Sequence, residues 1–249
     1  MNKILVSKNK ISSEDAGINI KNNVITFNKG GEYLLEYTES ASYSITFIVN
    51  SDIKLIESSF DKELVINNKY IIEDGNLLVV KFYNNLKVNE NIDIDLCSEK
   101  AKVDYHFSNI CRMEERYIIN INHKCKNTIS NIVNKSIALK NSILKFVINS
   151  NVDKECIKSV LDQNTRIVTM GECDASISPN MFIDLDDIVA KHGSVIGSFK
   201  EDDIFYLMSK GINYSDTLKL LIKGYIMSNM AVDADTRFKI TEIIDKYWR

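Results

Sequence analysis

The sequence has few of the residues that mark disulfide-rich or zinc-binding proteins. Its 249 residues include one proline, three histidines and five cysteines. The odd number of cysteines and the absence of a CxxC spacing argue against a disulfide framework and against a structural zinc site. We therefore expect free thiols, most of them buried as small apolar side chains. The five are Cys97, Cys111, Cys125, Cys156 and Cys173.

Long hydrophobic runs and an excess of one charge are also missing. The amino end, "MNKILVSKNKISSEDAG", has a three-residue apolar run, which is too short for a signal peptide or a membrane span. The net charge of -3 comes from 31 basic and 34 acidic residues, which argues against the basic surface of a nucleic-acid binder. We expect a cytoplasmic globular protein that binds neither nucleic acid nor membrane.

Up to about residue 200 the apolar residues alternate or form short runs rich in Ile, Val, Tyr and Phe, which is typical of strands. Between about residues 120 and 197 we expect strands of roughly three to six residues between turn signals. This pattern of short strands and turns favours a parallel β-helix, in which the chain coils and stacks on itself. No clean repeat length is visible, so a β-sandwich is the alternative fold.

Helical patterns occur only near the carboxyl end. "SFKEDDIFYLMSKG" places Ser198 three residues before Glu201, a capping-box spacing, and Gly211 provides a stop. A second helix is predicted from Asn213 or Ser215, and a third after Asp233, where apolar residues recur at helical spacing.

The stretch "ISPNMFIDLDDIVAKHGSVIG", residues 177–197, has two interpretations. His192 shares a strand face with Ile188 and Ala190, so it is either an ordinary histidine of a sheet face or a metal or cluster ligand. Cys173 is the nearest thiol in sequence. Asp184, Asp186 and Asp187 either cap a turn or form a calcium or lyase-type acidic site.

A family resemblance covers about residues 117–228. "SPNMFIDLDDIVAKHGSVIGSFKEDDIFYLMSKGI" and "SDTLKLLIKGYI" resemble the core signature of the SufB/SufD family of iron-sulfur cluster assembly proteins. "INHKCKNTISN" resembles the family's "H-x-x-P-x-T-x-S" entry to that core, with Lys126 where the proline is usual, and "LDQNTRIVTM" resembles its "Q-x-N-x-x-L-L" segment.

The resemblance implies a mainly β protein with a right-handed parallel β-helix and a small carboxy-terminal helical domain. We expect a β region over residues 1–116 that leads into the core, the β-helix core over 117–197, and the helical domain over 198–249. In the family the helical domain docks on SufC, an ABC-type ATPase, and two β-helix subunits pair. The implied role is a scaffold without covalent chemistry, partnered by SufC and by SufB or a second copy, that carries a transient iron-sulfur cluster and no tightly bound cofactor.

Two departures from the SufB pattern favour the SufD branch. At the positions where SufB-type chains carry a ligand cysteine and a ligand glutamate, this chain has Asn164 and Gly193. In SufD-type chains the histidine of an "HGA" signature contributes to the interface site, and "KHGS" places His192 there. His192 is thus the first candidate metal or cluster ligand, and Cys173 the second. By resemblance the SufC contact comprises Tyr206, Ser209, Lys210, Gly211 and Ile212.

Two other functions stay open. The chain is either a structural SufD relative that has lost cluster ligation, or a β-helix carbohydrate-active enzyme that uses Asp184, Asp186 and Asp187. The enzyme is disfavoured, because such proteins are usually secreted and do not end in a helical hairpin of this kind.

Overall fold

The alternating apolar residues form the strands of two parallel sheets in a computed structural model that describes residues 2–8 and 10–248. The strands of the described residues are β1 (Asn2–Val6), β2 (Ile11–Ser13), β3 (Ile18–Lys21), β4 (Val24–Phe27), β5 (Gly31–Tyr37), β6 (Ala41–Asn50), β7 (Ile53–Phe60), β8 (Glu63–Asp74), β9 (Asn76–Asn84), β10 (Lys87–Leu96), β11 (Lys102–Cys111), β12 (Glu114–His123), β13 (Ile129–Leu139), β14 (Ile143–Val152), β15 (Val160–Met170), β16 (Asp174–Ile183) and β17 (Val189–Gly197). The helices are α1 (Glu201–Ser209), α2 (Tyr214–Met227) and α3 (Ala234–Tyr247).

The predicted parallel β-helix is confirmed. Sheet A has the strand order β17-β15-β13-β11-β9-β7-β5-β1-β2, and sheet B has the order β16-β14-β12-β10-β8-β6-β4-β3. Successive coils therefore add one strand to each sheet, giving about seven turns. Among the strands of residues 2–8 and 10–248, only the pairs β1–β2 and β3–β4, at the first coils, are antiparallel. The predicted division at residues 116 and 117 falls inside β12, and the parallel pairing continues through it unchanged.

The coils lengthen along the chain, which explains why no repeat length is visible in the sequence. Gly31 pairs with Ile53, Asn76 with Lys102, and Ile129 with Val160, so the offset between paired residues grows from 22 to 26 to 31. The strands between residues 120 and 197 are nine to eleven residues long, so the predicted three to six was wrong. Asn and Ser residues that look like turn signals lie inside these strands. Buried Asn134, for example, donates to Thr165 Oγ1 at 2.9 Å.

The inner faces of the two sheets pack against each other in one apolar core that runs along the coils. Its aromatic residues contact one another along the core, and Phe107 meets both Tyr83 and Tyr117 edge-on. Stacked aromatic and aliphatic residues of this kind bury the apolar area that stabilises the solenoid.

A charged cluster interrupts this core. Lys81 of β9 is fully buried, and its Nζ lies 3.2 Å from Glu57 Oε1 and is also bonded to Glu90. The Tyr83 hydroxyl donates to Glu57. In the next coil, Glu115 accepts a hydrogen bond from Tyr117 at 2.8 Å and one from Asn109. One buried cation thus stands among three buried carboxyl groups.

The helices cover the outer face of sheet A. Ile222 and Ile226 of α2 and Ile240 and Ile244 of α3 pack against apolar residues that point outward from the sheet. Those sheet residues are Ile56, Val80, Phe82, Ile110, Ile137 and Val168. Among the described residues, no helix is long and apolar enough to cross a membrane.

Two of the three helices begin with the capping residue that the sequence predicts. Asn213 and Asp233 cap α2 and α3 by accepting from the backbone N–H groups of Asp216 and Thr236, as those residue types predict. The predicted capping box at Ser198 and Glu201 was wrong, because α1 starts after Lys200 without a side-chain cap.

Candidate functional site at the open end of the β-helix

The last coil, formed by β16 and β17, leaves one end of the solenoid uncovered. β17 pairs only with β15, and β16 only with β14, among the described strands. Each residue of β17 from Val189 to Ile196 is exposed, whereas the equivalent inward positions of β15 are buried. The described structure therefore ends this stack in two free strand edges, which offer unpaired backbone groups to another chain.

His192 lies on the inward-facing row of this last coil. It is the register partner of Gln163, whose buried side chain donates to Ser150 Oγ at 2.6 Å. The row continues at Ser194, the register partner of Thr165. The imidazole is exposed only because no coil follows it in the described chain, so it faces the open end and is available to a partner.

Apolar side chains surround this end. Phe182 at the end of β16 is 59% exposed, and Val189, Val195 and Ile196 of β17 are also exposed. An exposed apolar patch on a free sheet edge is typical of a surface that a partner covers.

Cys173 is placed away from His192. It immediately precedes β16, whereas the start of β17 lies by the end of β16, since residues 184–188 connect the two strands. Gly197, at the end of β17 nearer to Cys173, lies five positions after His192, so about 17 Å of extended strand separates His192 from that end. Burial, and next the charge of Asp174, raises the pKa of the Cys173 thiol.

The three aspartates form the turn between β16 and β17. Asp184 pairs with Lys154 at 2.8 Å on the exposed surface, and the carbonyl groups of Asp186 and Asp187 accept backbone N–H groups of Ile188 and Lys158. The described residues contain no group of three His, Cys, Asp or Glu side chains that could hold a metal ion. The geometry supports the interpretation of these aspartates as turn residues.

The predicted docking residues lie on and after α1, a helix with no buried residue. Tyr206 is exposed and Lys210 Nζ lies 5.3 Å from the centre of its ring, while Ser209 Oγ donates to the Tyr206 carbonyl at 2.7 Å. Gly211 adopts a φ of 86° and ends the helix, and Ile212 is half-buried. The predicted docking set omits Phe205 and Met208, which are exposed beside them. The apolar pattern predicts Ile204, Leu207 and Met208 on one stripe, yet Ile204 and Leu207 are half-buried whereas Met208 is exposed. Phe205 lies one residue off that stripe, which was the available signal.

The two residues that depart from the SufB pattern are neighbours in the structure. Asn164 of β15 is the direct register partner of Gly193 of β17. Neither provides a thiolate or a carboxylate, so the pair of positions cannot supply those two ligand groups together.

A family model matches most of the β-helix and part of the helical region. Residues 67–225, more than half of the chain, match the family described as SUF system FeS cluster assembly, SufBD core domain. The chain belongs to the SufBD core-domain family. The matched region includes most of the coils, α1 and nearly all of α2.

Curated relatives cover shorter segments. A SufBD family protein of Mycobacterium leprae is 37% identical over 73 residues, which are 28% of this chain and 19% of that protein. SufD of Escherichia coli is 30% identical over 76 residues, 30% of this chain and 18% of the relative. SufB of Bacillus subtilis is 26% identical over 106 residues, which are 42% of this chain and 23% of that protein. The matched segments thus span about a fifth of the length of these SufBD relatives.

Proposed function

We propose that this chain is a non-catalytic scaffold subunit of a SUF-type iron-sulfur cluster assembly complex. The observation that carries the proposal is the exposed apolar end of the β-helix, which presents His192 between two free strand edges. A second β-helix, either SufB or a copy of this chain, pairs with that end. The nascent cluster is the cargo of the paired subunits, and His192 contributes an imidazole to it.

The helical domain docks a SufC-type ATPase in this proposal. α2 and α3 bury their apolar faces on sheet A, whereas α1 presents Phe205, Tyr206 and Met208 to solvent. A helix whose apolar residues are not needed for its own domain suits insertion into a partner groove.

Co-purification with the SufC-type ATPase from the same source tests the docking. We expect the intact chain to form a complex and the double variant Phe205→Ser, Tyr206→Ser to lose it. The matched control is Phe238→Ser on α3, because Phe238 is 63% exposed and Phe205 is 73% exposed. Substitution is preferable to truncation after Gly197, which would uncover the apolar outer face of sheet A. Failure of the intact chain to bind the ATPase would overturn the docking proposal.

His192→Ala tests cluster ligation in a reconstituted complex. We expect a lower cluster yield per complex than in wild type, because an imidazole ligand is lost, and an unchanged yield in Ser194→Ala, which alters the same row of β17. Equal yields in both variants would favour the second candidate, a structural SufD relative without cluster ligation. The residues Asn164 and Gly193 are the observation that supports that alternative.

A further inference from the structure

Two consecutive corners between sheet B and sheet A differ in length by two residues, but their last residues share a conformation and stack on each other. One corner joins β12 to β13 and the other joins β14 to β15. Asn127 in the first has a φ of 58° and Lys158 in the second has a φ of 59°. The following residues, Thr128 and Ser159, bring their hydroxyl oxygens to 2.9 Å, and β13 and β15 then pair in register.

Cysteines occupy equivalent positions in these two corners. Cys125 lies three residues before Thr128, and Cys156 lies three residues before Ser159. Because adjacent strands of a sheet are about 4.8 Å apart, equivalent residues of stacked corners have similar Cα separations. Disulfides require Cα atoms about 4.4–6.8 Å apart, a range that includes the spacing of neighbouring strands.

The thiol groups need little movement to meet. Cys156 Sγ donates to the His123 carbonyl at 3.1 Å, and therefore points toward the coil that contains Cys125. Cys125 Sγ donates to the Cys97 carbonyl at 3.0 Å, in the opposite direction along the stack. Rotation of the Cys125 side chain to another staggered rotamer turns its sulfur back toward Cys156.

The two thiols differ in access to solvent. Cys125 is half-buried and flanked by exposed Lys124 and Lys126, whereas Cys156 is fully buried. Burial, and then the negative charges of Asp153 and of a Cys125 thiolate, raise the pKa of the Cys156 thiol. Cys125 is thus the thiol that reacts first with an external disulfide, and Cys156 is the thiol that then attacks the mixed disulfide formed on Cys125.

Cys97 is a poorer partner for Cys125. Leu96 pairs with His123, so Cys97 stands opposite Lys124 and Ser98 occupies the position equivalent to Cys125. Beneath the corner, His123 is bonded to Thr128 Oγ1 at 2.7 Å and to Ser130 Oγ at 2.9 Å. This buried network fixes the corner and keeps the alignment of Cys125 with Cys156.

We propose that Cys125 and Cys156 form a dithiol–disulfide site that reacts with small-molecule disulfides. The Cys125 thiolate attacks the small disulfide, breaks its S–S bond and releases one thiolate, leaving a mixed disulfide on Cys125. Cys156, after losing its proton to solvent, attacks Cys125 Sγ and releases the second small thiolate. The protein pair loses two electrons, the small disulfide gains them, and the two released thiolates take up the two protons. The new bond joins two coils next to the open end of the β-helix.

The test uses the full chain with oxidised glutathione as the oxidant, followed by alkylation, proteolysis and mass spectrometry. We expect a cross-link between the Cys125 and Cys156 peptides, reversed by a dithiol reductant. Because the bond closes a loop of 31 residues, we expect the midpoint of thermal unfolding to rise by about 5–10 °C on oxidation.

Variants assign the effect to this pair. Cys125→Ser and Cys156→Ser should each abolish the thermal shift, whereas Cys97→Ser and Cys173→Ser should keep it. The proposal is overturned if the unmutated chain yields only a glutathione adduct on Cys125, a cross-link from Cys125 to Cys97, or no reaction. Identification of the cross-linked peptides in the unmutated chain tests the proposal even if Cys156→Ser fails to fold. None of these measurements depends on cluster assembly or ATPase binding.

Discussion

Replacement of Lys81 by methionine is expected to lower the free energy of unfolding by about 3–5 kcal/mol at pH 8. The Lys81 ammonium is the only cation bonded to Glu57 and Glu90 in the described structure, and all three side chains are buried. Methionine fills similar volume, so the loss comes from two carboxylates without a counter-ion rather than from a cavity. Urea unfolding at pH 8 measures this change in the free energy of unfolding.

The control is Lys54→Met, which removes a cation that pairs at 3.0 Å with exposed Glu32 on the outer surface of sheet A. A surface pair of this kind contributes about 0–1 kcal/mol. At pH 5 the loss from Lys81→Met should shrink, because Glu90, whose pKa burial raises to about 7, takes up a proton. A loss below about 1 kcal/mol at pH 8 would contradict the account of Lys81 as an essential counter-ion.

These interior charges show where the sequence patterns lose their predictive power. In "GNLLVVKFYNN" the alternation correctly predicts a strand, yet Lys81 occupies an inward position between Val79 and Tyr83. Its register partner Glu57 lies 24 residues earlier in a coil whose length differs from the next one. A local pattern cannot pair two charges across coils of changing length, whereas the capping residues Asn213 and Asp233 act within one turn and were predicted.

The candidate site was predictable in part for the same reason. Alternation places His192 on the face of Ala190, and the register with Gln163 puts that face inward. Its exposure depends on β17 being the edge strand of sheet A, which is a property of the stack and not of the stretch. The stacked corners of Cys125 and Cys156 likewise become visible only when the pairing of β13 with β15 is known.

The stabilising contribution of buried Glu90 and Glu115 is expected to fall as the pH rises from about 4.5 to about 7. Burial raises the pKa of Glu90 to about 7, although Lys81 lowers it, and burial raises the pKa of Glu115 to about 7 against the hydrogen bonds of Tyr117 and Asn109. In the folded protein Glu90 and Glu115 thus stay protonated at pH values at which the same groups have already lost their protons in the unfolded chain. Stability from these groups is fully present below the unfolded pKa and is lost through the folded pKa, by about 3 kcal/mol for each group.

Acid weakens the fold by a different set of groups. At Asp95 the effect of burial is outweighed by hydrogen bonds from Lys124 and Asn122, which hold the pKa of this carboxyl below its usual value. Stability from such a carboxylate is present above the unfolded pKa and is lost as the pH falls through the folded pKa. Burial lowers the pKa of His123 to about 4, so the stability from its neutral imidazole is also present above the unfolded pKa and is lost as the pH falls through the folded pKa.

Glu90→Gln isolates the buried carboxyl group in this pH dependence. Glutamine has the shape of protonated glutamate and does not ionise, so we expect the variant to match wild type at pH 5 and to exceed its free energy of unfolding at pH 8 by about 1–3 kcal/mol. Urea unfolding at several pH values measures the slope. Glu114→Gln, on the solvent face of β12, should leave the slope between pH 5 and pH 8 as in wild type. Equal slopes for Glu90→Gln and wild type would mean that Glu90 is ionised throughout this range, and that Lys81 satisfies both of its carboxylate partners.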